Sequence, residues 1–132
     1  MVVEHQPTAC GLPTTHYPLP TTHHPLSMSL LLVLTTLDLD TDAAPLAQAL
    51  VEERLAACVK VLPPMLSIYR WKGAVEQARE QQLIIKTSAD RLDALKARLA
   101  ELHPYEVPEV VVIDADGAAS YEAWLAEAVR PT

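Results

Sequence analysis

At 132 residues and 50% hydrophobic content, the chain fits one domain whose core, lacking Phe, rests on Leu, Val, Ile and Ala. Its 17 acids against 10 bases, a net charge of −7, exclude the basic face of a dedicated nucleic-acid binder. Three glycines cannot build a phosphate-cradling loop, and two cysteines cannot build a disulfide scaffold or a CxxC metal site.

Residues 1–27 differ in composition from the rest. They hold His5, His16, His23 and His24 and a seven-residue repeat, LPTTHYP followed by LPTTHHP. Proline at this density blocks both helix and central strand. The segment is expected to be a disordered Pro/Thr/His-rich leader, with residues 28–132 forming the domain. It lacks the basic start and apolar stretch of a secretory signal. Either it is a leader without function, with Met28 as the natural start, or its histidines bind metal loosely.

Leu30–Thr36 reads as a strand. Asp38, Asp40 and Asp42 are helix-capping candidates, and Pro45 suits a first helical turn. A helix is predicted from there to about residue 57. Cys58–Leu62 reads as an edge strand that Pro63-Pro64 interrupts and that resumes over 66–71. Lys72-Gly73 turns the chain into a long strand over 75–87. Ser88 is the predicted cap of a helix whose Leu92, Leu95, Leu99 and Leu102 share one face. His103-Pro104 ends it. A strand over 107–113, a turn at Asp116-Gly117 and a helix over 120–129 complete the chain. The first six elements follow the βαββαβ order of an α+β, ferredoxin-like sandwich, with an extra C-terminal helix and a long hairpin. Such a sheet has helices on one face, yet Leu30–Leu34, Leu83–Ile85 and Val110–Ile113 are apolar throughout. The second face therefore calls for cover by other copies of the chain. The longest apolar run, Leu30–Leu34, is far too short for a membrane span. The sparse thiols suit a reducing cytoplasm.

Four blocks carry a family resemblance: LAACV over 55–59, SIYRWKG over 67–73, IKT over 85–87 and HPYEVPE over 103–109. In order and spacing they resemble the signature blocks of the CutA family, the divalent-cation tolerance proteins. The resemblance covers about residues 29–130. It implies a ferredoxin-like subunit in a homotrimer similar to PII-type signal proteins, and a role in tolerance of copper and other divalent metals. It implies no agreed enzymatic reaction. No organic cofactor is expected, and no nucleic-acid or membrane partner, the last two from the charge and the short apolar runs.

His103 is the candidate metal ligand of the domain, since imidazole suits copper and zinc; alternatively it caps the last carbonyls of its helix. Copper binding in some members resembles a Cys at the end of the first strand plus two adjacent His before Pro-Tyr. Here those positions are Thr35, Leu102 and His103, and only His103 matches. Cys58 could hold Cu(I) as a thiolate or serve as a small buried hydrophobe. Lys86, Tyr105, Glu106, Tyr69 and Trp71 are candidates to line an inter-subunit cleft for an anionic ligand or partner protein, with Lys86 as its cation. Their structural alternatives are interface anchoring for the aromatics and an ordinary ion pair for Lys86. Glu76, Glu80, Asp90 and Asp93 read as solvated surface charges.

Overall fold

Leu30–Asp38 forms strand β1, as its run of Leu, Val and Thr predicts. The computed structural model describes residues 30–132, so the expected leader 1–27 lies outside the described residues. Asp38 Oδ1 accepts the Thr41 N–H at 2.9 Å and closes the turn after β1. Asp42 then caps helix α1 (Ala43–Glu52), its Oδ1 accepting the Ala44 N–H at 3.0 Å. The helix stops at Glu52 rather than near 57. Arg54 turns left-handed, with φ of 60°, and the N–H groups of Leu55 and Ala56 both donate to Leu50 O.

Pro63-Pro64 divides the interrupted strand into β2 (Cys58–Val61) and β3 (Met65–Trp71). Proline offers no N–H to a ladder, so pairing lapses there and resumes beyond. Lys72 and Gly73, both at positive φ, turn the chain into β4 (Ala74–Ser88). A turn of 3₁₀ helix at Ala89–Arg91 precedes α2 (Leu92–Leu102). Ser88 caps no backbone group there; its hydroxyl donates to Asp90 instead. Strand β5 spans Val111–Ala115, not 107–113, because Pro108 and its neighbours run outside the ladder. Helix α3 spans Ala119–Ala128.

The sheet is antiparallel, in the order β2-β4-β1-β5. The outer half of β4 pairs with β3 alone, forming a hairpin that extends past the sheet body. Side chains alternate across a strand, and partners in register share a face. One face carries Val33, Leu37, Leu83 and Ile85, which pack with Leu46 and Leu50 of α1 and Leu95 and Leu99 of α2. Each such buried Leu contributes about 2 kcal/mol of hydrophobic free energy.

The second face is only partly covered. At one end Leu30 packs with Leu125 and Val129 of the α3 region. The rest presents Leu32, Leu34 and Ile84, all half-buried, with Val111 at 45% and Ile113 at 40% exposure.

Candidate functional site

The loop between α2 and β5 folds over one end of that second face. His103 anchors it. Its ring is buried, and Nε2 lies 2.8 Å from Thr36 O, a carbonyl that can only accept. The Nε2–H therefore donates, and Nδ1 accepts the Tyr105 N–H at 3.1 Å. The Tyr105 ring stands edge-on to the imidazole, centroids 4.8 Å apart. Its hydroxyl donates to Glu80 Oε2 at 2.7 Å. Burial, and then the Glu80 carboxylate, push the Tyr105 phenol well above its usual range. It stays protonated and donating.

Glu80 is thus not a solvated charge: it is 8% exposed, opposite Asp38 in the β1–β4 register. No local pattern in the sequence singles it out. Only the strand register, which sets it on the same face as Asp38 and within reach of the loop, reveals it. Gln82 on the same face donates to Thr35 O and to Glu109 Oε2, both at 3.2 Å, which ties the far end of the loop to the sheet.

Beside these contacts lies a half-open pocket of about 770 Å³. Its walls are the hairpin residues Ser67, Tyr69 and Trp71, the β1 end at Thr36 and Asp38, and the loop from Tyr105 to Glu109. Tyr69, Trp71, Tyr105 and Glu106 of the expected cleft meet here. Lys86 does not line it. Its Nζ lies 3.2 Å from Tyr121 Oη and 5.2 Å from that ring's centroid, against α3. The pocket's charged lining is Asp38, Glu80, Glu106 and Glu109.

Cys58 and His103 are set apart. Cys58 faces Lys86 across the β2–β4 ladder, whereas the Thr36 carbonyl held by His103 belongs to the residue opposite Gln82. Four strand residues span about 13 Å, and the two ladders flank opposite edges of β4. Cys58 is half-buried with no disulfide. Among the described residues, no group of three His, Cys, Asp or Glu side chains is placed to hold a metal ion.

Residues 31–128 match the CutA1 divalent ion tolerance protein family. The chain belongs to the CutA1 family. A divalent-cation tolerance protein CutA of Thermus thermophilus is 47% identical over 96 residues, 72% of this chain and 93% of that protein. The structure of CutA from Synechococcus elongatus superposes with a TM-score of 0.72 at 40% identity, covering 80% of this chain and 94% of that one. The apo PII-like protein CutA from Nostoc matches with a TM-score of 0.71 at 37% identity, over 77% and 99%. The CutA1 match includes the hairpin, the His103 loop and all the pocket residues named above. Among the described residues, no helix is long and apolar enough to cross a membrane.

Proposed function

We propose that this CutA1 chain acts in divalent-cation tolerance as a cytoplasmic homotrimer of ferredoxin-like subunits that binds copper or another divalent metal. The observation that carries this reading is the apolar sheet face centred on Leu34, Ile84, Val111 and Ile113, which α1 and α2 leave open. A face of this kind is stable in water when a second copy covers it. Membership of the CutA1 family supports the link to divalent cations. His103 and Cys58 are the residues to test as ligands. A metal at His103 must displace its bond to Thr36 or to Tyr105, because both ring nitrogens are engaged. Cys58 lies on the open face, where a neighbouring copy can add donors.

Light scattering gives the mass, and calorimetric titration of copper into residues 28–132 gives the stoichiometry. A trimer that binds copper saturably, and loses it on His103→Ala or Cys58→Ala while keeping its mass, is the expected result. An intact trimer whose copper binding ignores both substitutions removes these two ligands. A monomer removes the assembly.

A second reading has its own observation, the aromatic pocket beside the open face. There the protein is a PII-like sensor, and Tyr69, Trp71, Tyr105 and Glu106 bind a small organic ligand.

A further inference from the structure

We infer that the pocket between the β3–β4 hairpin and the His103 loop binds a small organic cation, an alkylammonium or a guanidinium. This inference rests on the sensor reading and fixes the charge of its ligand. The pocket's size is the first argument. About 770 Å³ accommodates a molecule of several heavy atoms rather than a bare ion.

Its chemistry is the second. Four carboxylates line it, those of Asp38, Glu80, Glu106 and Glu109, and among the described residues no Lys, Arg or His is part of the lining. Glu80 is buried at the pocket's base, where a carboxylate is screened least and attracts a cation most. The Tyr105 hydroxyl holds one Glu80 oxygen and so fixes the direction of the group. Glu106 stands exposed at the rim.

The walls are the third argument. Tyr69 and Trp71 are large rings left 43% and 37% exposed. Aromatic faces attract ammonium and guanidinium groups and give an anion nothing. Trp71 already shows this behaviour, with Lys72 Nζ lying 5.5 Å from its ring centroid. Lys86, the cation that an anionic ligand needs, is turned to Tyr121 instead. Rings on one side and carboxylates on the other make a cradle for a delocalised or alkylated positive charge.

Agmatine, which carries both an ammonium and a guanidinium, is the probe, and citrate is its anionic counterpart. Each is titrated calorimetrically into the full chain at low salt, with the mass read on the same samples. Saturable agmatine binding is expected, weakened about tenfold by Glu106→Gln and by Trp71→Leu and unchanged by Lys86→Met. Both weakening substitutions are at exposed positions, and far-ultraviolet circular dichroism checks their folding. Agmatine binding that ignores both substitutions is unspecific and overturns the inference. Citrate binding lost in Trp71→Leu overturns the cation while keeping the pocket as a ligand site. Silence from both ligands overturns the pocket and the sensor reading together.

Discussion

Two polar side chains, one half-buried and one fully buried, behave in opposite ways. Tyr105 donates to Glu80 and is held protonated above the ordinary tyrosine value of about 10. The folded state therefore keeps a proton that the unfolded chain releases as pH rises. Stability contributed by this phenol is fully present below about pH 10 and is lost as pH climbs above it. Denaturant melts of the wild type are expected to weaken over that alkaline range, and Tyr105→Phe should flatten the slope. The same variant loses about 2 kcal/mol at neutral pH, because a buried carboxylate forfeits its donor. Thr35 is the converse case. Its hydroxyl oxygen is buried without a hydrogen-bond partner among the described residues. Thr35→Val removes that cost, and a gain of about 1 kcal/mol in chemical denaturation is expected. The Tyr105–Glu80 pairing was not legible in the sequence. Tyr105 and Glu80 are separated by 25 positions, and only the register of two strands and one loop brings them together. Local spacing did reveal Asp42, whose capping role depends on a residue two positions away.

At the scale of elements, legibility followed the range of the interaction. Strand β1, the face of α2 and the Lys72-Gly73 turn are local in origin and stood out in the pattern. The end of α1 did not. It depends on the left-handed Arg54, whose guanidinium reaches the carbonyls of Glu127 and Ala128 and whose own carbonyl accepts from Arg91. Those partners are distant in the chain, so the apolar stripe ran on past the true end. The late start of β5 is similar: Pro108 marked the break, but the apolar residues around it concealed its extent. The hairpin turn offers a clean test. Gly73 sits at φ of +84°, and a Cβ there would meet no atom within 4 Å. Gly73→Ala therefore carries backbone strain alone, and a loss of about 1 kcal/mol is expected in thermal melts.

At the scale of the molecule, the two faces of one sheet have different fates. The first is closed by the chain's own helices, with Val33, Leu37, Leu83 and Ile85 fully buried. The second exposes Val111 and Ile113 beside half-buried Leu32, Leu34 and Ile84. A charge placed at its centre separates assembly from folding. Ile113→Asp is expected to yield a folded monomer by sedimentation velocity, with the circular dichroism of the parent. An unchanged mass would show that this face is not where the copies meet. The composition already pointed to such a face, because strands meant to be wet on one side should alternate and these do not.

Strand β4 carries a further consequence. Residues 80–88 pair with β1, and 83–86 among them also with β2, whereas residues 74–79 pair with β3 alone. A two-stranded ribbon is marginal in water, so one continuous strand spans two levels of local opening. In a single chain, deuterium should enter the 74–79 amides long before those over 83–86, with a step near Glu80. Assembly that grips the hairpin would erase that step, so one strand's exchange clock would record the encounter between copies.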